Sequence, residues 1–376
     1  MSRIYLPHAE QFDLMNENLA KIANALAASI DLSTWAGIQK AVRVGVAPDL
    51  IPVGTQLKVS HSVYGDMLYD VVAHNHFKSA YDKRAHTMTL LCHDTIGGVQ
   101  FDKSEAFYYA NEELPSGTYH FTIATYGKWT SGTYQFTLTR PLPVGGQLCI
   151  YNYATIPMTS CEVSAFESNT STTPIEKVAI TAGNDGAFLG TFGNELNSIG
   201  RVAYGSNNYK ESAIRQFLNS SAETGRVWTP QTKFDRPPDW MGSKEGFMRG
   251  LNEDFLSVIG EVVVPCSANN IYEFPDSTVI KSTKYTVNDK FYLASQSEVF
   301  GTSTGVVVDE SVQFPYYREA INADRIKRAN SSAVPWWLRS CVSWDDTGTY
   351  YVMSNGSLTY SGAGDGHRCV PVCTIV

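Results

Sequence analysis

The first periodic pattern along the chain is helical. Apolar residues recur at Phe12, Met15, Leu19, Ile22, Leu26 and Ile30, spaced by three and four, with Asn, Glu, Lys and Ala between them. Nearly three heptads with apolar a and d positions predict an N-terminal amphipathic helix, either packed on its own domain or paired with copies of itself in a short coiled coil. Between 50 and 166 the period changes. "TQLKVSHSVYGDMLYDVVAHNHF", "HTMTLLCHD", "GTYHFTIATY", "GTYQFTLTR" and "GQLCIYNYA" are short β-branched and aromatic runs bounded by Gly, Pro and Asp, which is the pattern of strands. A polar run, "ESNTSTTP", then suggests a boundary. Beyond it, "SNNYKESAIRQFLNSS" predicts a helix over about 208–219, with Asn208 and Glu211 as a capping box and Tyr209, Ala213 and Phe217 on one face. "NEDFLSVIG" predicts another at 252–260. The expected organisation is a helical segment at 1–49, a β-rich domain at 50–166, a linker at 167–175 and a domain of mixed helices and short strands at 176–376, an α+β class.

The last strands carry a sharper signal. In "YYVMSNGSLTY", Asn355-Gly356 lies between alternating segments, which predicts a hairpin with a two-residue turn. In that register Ser354 faces Ser357, Met353 faces Leu358 and Tyr351 faces Tyr360. Tyr351, Met353, Leu358 and Tyr360 then share an apolar face turned to a core with Trp336, Trp337, Leu338 and Val370, and Tyr350, Val352, Ser354, Ser357, Thr359 and Ser361 share the other. From 340 to 372 there is no Lys, Glu or Gln, and Ser, Gly, Tyr, Thr and Asp dominate. Binding loops use that mixture because Tyr and Trp give contact area at small entropic cost while Ser and Gly adapt. Plain turns use it too.

Composition and charge narrow the classes. With 43% hydrophobic and 18% charged residues, 376 residues can bury a large core. The net charge of -8 and the lack of a Lys/Arg run argue against nucleic acid or an anionic membrane as partner. No run of eighteen apolar residues and no basic region followed by an apolar core occurs, so neither a membrane span nor a secretory signal is expected, and the chain is expected to be made in a cytosol.

Candidate chemistry in the linear sequence is sparse. Cys92, Cys149, Cys161, Cys266, Cys341, Cys369 and Cys373 are scattered and odd in number, and are expected to be buried thiols. Cys369 and Cys373 cannot pair along one strand. His74, His76, His86 and His93 fall within twenty residues, and H-x-H on a strand puts both rings on one face. No Cys or carboxylate stands at a fixed spacing from them, so no metal is expected. "GTSTG" at 301–305 matches a nucleophile elbow in letters but lacks an apolar strand before it and a helix after it. No phosphate-binding loop, dinucleotide glycine fingerprint or H-E-x-x-H motif is present. Neither an enzyme nor a cofactor is expected.

Taken together, "YGSNNYKESAIRQFLNSS", "KFYLASQSEVFG", "PWWLRS" and the closing Val-Pro-Val strand resemble the variable proteins of diversity-generating retroelements and their relatives in gut bacteria and phages, over about residues 176–376. The resemblance implies a C-type-lectin-like domain of the formylglycine-generating-enzyme type, with a Ser/Tyr/Gly-rich surface rewritten on a fixed scaffold. The ligand face it implies comprises Ser343, Trp344, Asp345, Asp346, Tyr350, Tyr351, Ser354, Tyr360, Ser361, Asp365 and His367, with Trp336, Trp337, Leu338 and Arg339 as scaffold. The first 165 residues look like the N-terminal half of phage proteins with such ends. The implied function is receptor binding at a phage tail, to a bacterial surface protein or glycan, as a homo-oligomer, with a trimer preferred. Two other classes compete: an enzyme on the same scaffold using Cys369 or Cys373, and a purely structural virion component.

Overall fold

The computed structural model describes residues 28–80, 86–103, 106–110, 113–123, 132–143, 147–149, 160–164, 176–192, 199–203, 207–229, 237–268, 271–273, 278–280, 283–306, 310–343 and 348–376, with Asp13, Glu17, Asn18, Lys21 and Ala25. Two five-stranded sheets organise the core. Their strands, numbered in chain order, are β1 (Gln56–His61), β2 (Gly65–His74), β3 (Met88–Cys92), β4 (Ile96–Gln100), β5 (Phe291–Tyr292), β6 (Trp336–Cys341), β7 (Gly348–Val352), β8 (Leu358–Gly362), β9 (Gly366–Cys369) and β10 (Val372–Ile375). The first sheet has the order β1-β2-β3-β10-β5 and the second β8-β7-β6-β9-β4. Neighbours are antiparallel except β6 and β9. The central strands β3 ("MTLLC") and β6 ("WWLRSC") are buried at every position, as near-continuous apolar strands covered on both faces should be. Helices and strands in several sheets make this an α+β chain.

The division expected at 167–175 is not where the sheets divide. Leu91 pairs with Val372 and Leu90 with Cys373, while Gly98 pairs with Arg368. Buried residues from Ile38 to Phe101 and from Tyr209 to Ile375 belong to one core. Strands read locally as an N-terminal β-rich domain therefore complete sheets that the C-terminal residues begin. What stands apart is an insertion between Asp102 and Asn207. Its described strands form two sheets of their own, and Tyr119, Phe121, Phe136, Leu138 and Leu189 are buried there, outside the main core. The two "GTY-x-FT" runs pair antiparallel, Tyr119 with Phe136. The insertion's first and last strands, Ala106–Ala110 and Ile199–Ala203, pair along their whole length, with Ala106 opposite Ala203. They are neighbours in the insertion's five-stranded sheet, Ile199–Ala203 at its edge, and form the stalk by which the chain enters and leaves it.

Among the described residues, four α-helices longer than one turn flank the sheets. In α1 (Trp35–Arg43) the Thr34 hydroxyl accepts from Gly37 N at 3.1 Å, and Ile38, Ala41 and Val42 are buried. α2 (Ala213–Leu218) begins later than the sequence suggested. Ser212 is its N-cap, with the hydroxyl accepting from Arg215 N at 3.3 Å, whereas Asn208 accepts from Lys210 N and from the Tyr285 hydroxyl. Tyr209, Ala213 and Phe217 are buried as one face. α3 (Glu253–Val258) starts at the Asn252 cap. The sequence reading omitted α4 (Gln296–Phe300), although Ser295 and Glu298 form a full capping box before it and Gly301, at φ +68°, ends it in the left-handed region. Phe12, Met15, Leu19, Ile22 and Leu26 of the heptad lie outside the described residues. No helix among the described residues is long and apolar enough to cross a membrane.

Ladder partners in an antiparallel pair are about 5 Å apart. A short Gly-Ser linker replacing 107–202 should therefore leave the two core sheets folded. Circular dichroism and a single cooperative thermal transition are expected, and a chain that fails to fold would show that the insertion shares the core.

Candidate functional site

The C-terminal hairpin closes one residue away from the expected register. Val352 pairs with Leu358, Tyr351 with Thr359 and Tyr350 with Tyr360. Gly356 N donates to Met353 O at 2.9 Å and Met353 N to Ser357 O at 2.8 Å, so the turn has three residues, Ser354-Asn355-Gly356, with Gly356 at φ +80° as the bulge. A side chain there is excluded twice. The backbone is left-handed, and a Cβ would lie 1.7 Å from Asn322 O. Because the side-chain period is two, this slip moves every β8 side chain to the other face. Tyr350, Val352, Leu358 and Tyr360 share one face with Trp336, and Thr349, Tyr351, Thr359 and Ser361 share the other with Trp337. The expected apolar face of Tyr351, Met353, Leu358 and Tyr360 does not form.

The residues implied as a ligand face are accordingly separated. On the first face Tyr360 is 43% exposed and packs edge-on at 6.1 Å against Tyr350. Tyr350 itself is only 5% exposed, and its hydroxyl donates to Thr304 O at 3.3 Å. It supports Tyr360 and is not part of the surface. On the second face the Tyr351 ring lies 3.9 Å from that of His367, whose other neighbour is the buried Trp337 at 4.5 Å. His367 Nε2 is 2.9 Å from Ser361 Oγ. Burial pushes the imidazole below its ordinary range, against the opposing effect of Asp365. Asp365 is exposed on a turn closed by its own N–H to Gly362 O at 2.9 Å. Ser343 is half-buried, with its N–H on Gly305 O at 2.9 Å. Ser343, Ser361 and Asp365 thus gather at the end of the sheet where β7 begins and β8 ends. Ser354 is exposed at the hairpin tip, at the opposite end of the strands. Trp344, Asp345 and Asp346 lie outside the described residues. The sequence reading weighed "GTSTG" only as a nucleophile elbow and missed that Gly301–Val306 borders the face through Thr304, Gly305 and the Val306–Val342 bridge. The Ser-x-x-Glu cap of α4 was the available clue.

Beneath this surface is a buried charged scaffold. Trp336, Trp337, Leu338 and Arg339 are fully buried, and the two indoles donate to Arg325 O at 3.0 Å and Val99 O at 2.9 Å. Arg339 leaves the β6–β7 ladder at a register shift and forks onto Glu298, with Nη1–Oε2 at 2.6 Å and Nη2–Oε1 at 2.9 Å. It also donates to Leu293 O and Pro265 O. His76 Nε2 stands 3.2 Å from Glu298 Oε1. A second buried carboxylate, Glu310, accepts from Ser267 N and Oγ at 3.0 Å and from Ser340 Oγ at 2.5 Å. Burial alone would raise the Glu298 carboxyl, but the Arg339 charge and the bonds from His76 and Arg339 hold it down to about 2. Burial pushes Glu310 up in spite of Arg339.

The other candidate groups disperse. β2 ends at His74, Asn75 at φ +56° breaks the alternation, and His76 follows outside the strand. His74 Nε2 meets Ile51 O, His76 meets Glu298 and His93 meets Asp70. Among the described residues no group of three or more His, Cys, Asp or Glu is arranged to hold a metal. Cys369 and Cys373 are free and fully buried, and burial pushes both well above the ordinary thiol range, which speaks against a reactive thiolate. Gly301 follows a helix, so "GTSTG" begins at a helix C-cap and not at a strand-to-helix elbow.

A carboxylate depressed in the folded state gives its full stabilisation above its unfolded value, near 4.5, and loses it as pH falls towards 2. Glu298→Gln should therefore cost about 3 to 5 kcal/mol at neutral pH, since Arg339 stays buried without its counter-charge. It should also flatten the loss of stability between those pH values. Urea titrations across that range decide this, and an unchanged slope would contradict the role given to the pair. Trp337→Ala should cost about 3 to 5 kcal/mol, whereas Tyr360→Ala, at an exposed position, should stay within about 0.5 kcal/mol of the parent. Equal losses in the same denaturation measurement would show that Tyr360 belongs to the core.

Residues 187–376 match a family described as Domain of unknown function (DUF6273). No curated protein and no solved structure matches the chain. The match begins inside the insertion, at the strand Ala187–Phe192, and runs through β5 to β10, so β1 to β4 complete its sheets from outside the matched residues. Covering half of the chain and the whole candidate face, the match shows that this protein belongs to the DUF6273 family.

Proposed function

We propose that the protein binds a ligand at the end of the second sheet, around an edge formed by Ser343, Ser361 and Asp365, with the Tyr351 and His367 rings beside it on one side of the sheet and the exposed Tyr360 on the other. One observation carries this reading: short Ser-, Gly- and Asp-bearing turns stand directly on four consecutive fully buried residues, Trp336 to Arg339. Binding sites are commonly built as adaptable loops on a rigid scaffold, because ordering the loops in advance lowers the entropic cost of association. The exposed tyrosine beside small polar groups is the composition such faces use. The resemblance to retroelement variable proteins extends the proposal to a C-type-lectin-like domain that displays a diversified surface. It also extends it to a phage-tail receptor-binding role towards a bacterial surface protein or glycan. The Phe12–Ile30 heptad suits a homo-oligomer, trimer preferred, whose several copies would raise avidity.

The test is binding of the purified full chain to an array of bacterial cell-envelope proteins and glycans. Specific binding that falls at least tenfold with Tyr360→Ala or Asp365→Ala, at unchanged thermal stability, is the expected result. Binding indifferent to both substitutions would remove this face from the function.

A further inference from the structure

The insertion between Asp102 and Asn207 is rooted at the candidate face. On the departing side, Gln100 Nε2 donates to Gly364 O at 2.5 Å and Asp102 N to Ala363 O at 3.1 Å. Both acceptors lie in the turn between β8 and β9 that carries Asp365. On the returning side, the Asn207 carboxamide donates to Gly348 O at 3.2 Å, where β7 begins. Between these roots, Ala106 and Ala203 are ladder partners at the base of the stalk. The stalk therefore grips the face at two points, one on each side of the β7–β8 pair. Gly348 and Gly364 have no side chains of their own to lock their turns. Val342 N already holds Gly348 O at 3.0 Å, and the Gln100 and Asn207 carboxamides, which flank the stalk on its core side, add a side-chain tie to each turn.

We infer that the stalk positions the turns of the ligand face, so that the insertion governs which ligand the face accepts. Gln100 and Asn207 are its positioning residues. This rests on the ligand-binding reading for its consequence but not for its geometry. Because both roots converge on one end of one sheet, a load on the stalk reaches Ser361, Asp365 and Tyr351 within a few residues. It reaches Ser354, at the far tip, only through the full length of the hairpin.

Full-length Gln100→Glu and Asn207→Asp variants test this, because each keeps its shape while replacing the donor by a carboxylate oxygen that repels the carbonyl. Tyr108→Pro, in the stalk strand that is paired on both sides and where proline removes a ladder bond, loads the same path from inside the insertion. Hydrogen–deuterium exchange should quicken roughly three- to tenfold at Thr349–Tyr351 and Ser361–Gly366 in all three variants, the size expected for losing one hydrogen bond. Trp336–Arg339 and the tip at Ser354–Ser357 should stay at parental rates. On the array of cell-envelope proteins and glycans, the order of preference among bound ligands should change while Tyr360→Ala lowers all of them together. Unchanged exchange in the two turns, or an unchanged order of preference, would overturn the inference. A parent chain that binds nothing on the array contradicts the ligand-binding reading instead, and the exchange arm still decides the coupling.

Discussion

The Arg339–Glu298 pair is the contact on which the rest of the core depends. Taking a guanidinium and a carboxylate out of water is costly, and the cost is offset only when geometry is good and the remaining donors are satisfied. Here the fork is two-pronged, and Arg339 also reaches the carbonyls of Leu293 and Pro265. Those partners come from different parts of the chain. Glu298 is the third residue of α4, Leu293 follows β5, Pro265 lies in the strand Val262–Ala268, and His76 arrives from the end of β2. The central strand of the second sheet is thereby tied by one side chain to the first sheet, to the strand Val262–Ala268 and to α4, and through Glu298 to the residues that follow β2.

That tie explains why a turn-rich, nearly charge-free surface can be displayed without collapse. The tryptophans on either face of β6 spend their N–H groups on Val99 and Arg325 carbonyls, so each indole is fixed in place as well as buried. Tyr351 then inherits a fixed position from its β6 partner Trp337, Tyr350 is buried with its hydroxyl on Thr304 O, and Tyr360 and His367 lean on those rings in turn. The bonds that hold the turns, main-chain ones together with those from the Gln100 and Asn207 carboxamides, do not pass through the outermost side chains. Under the proposed ligand-binding reading, this construction would separate what is recognised from what is folded.

Local composition was enough to read the buried "WWLR" run, the burial of Cys369 and Cys373 and the helix at α3. The features that escaped it are set by distant partners. A two-residue turn is the ordinary reading of Asn-Gly, yet Gly356 sits under Asn322 O and the hairpin takes a third turn residue, which reverses every β8 side chain. The N-terminal strands looked like a domain of their own because nothing in "TMTLLCHD" reveals that its partner is the last strand of the chain. His74 and His76 looked like a same-face pair because the left-handed Asn75 between them leaves no sequence mark. Of the face implied by resemblance, Ser343, Ser361 and Asp365 gather at one end of the sheet, Tyr360 stands on the other side of it against the buried Tyr350, and Ser354 lies at the far tip.

The central claim is that a rigid charged scaffold carries an independently soft display surface. Native-state hydrogen exchange as a function of denaturant measures this most directly. Amides of Trp337 to Ser340 should exchange only through global unfolding, with a steep denaturant dependence, while those of Gly362 to Gly366 exchange by local opening that denaturant hardly alters. If both sets merged into one denaturant-sensitive class, or the scaffold opened first, the account would be contradicted.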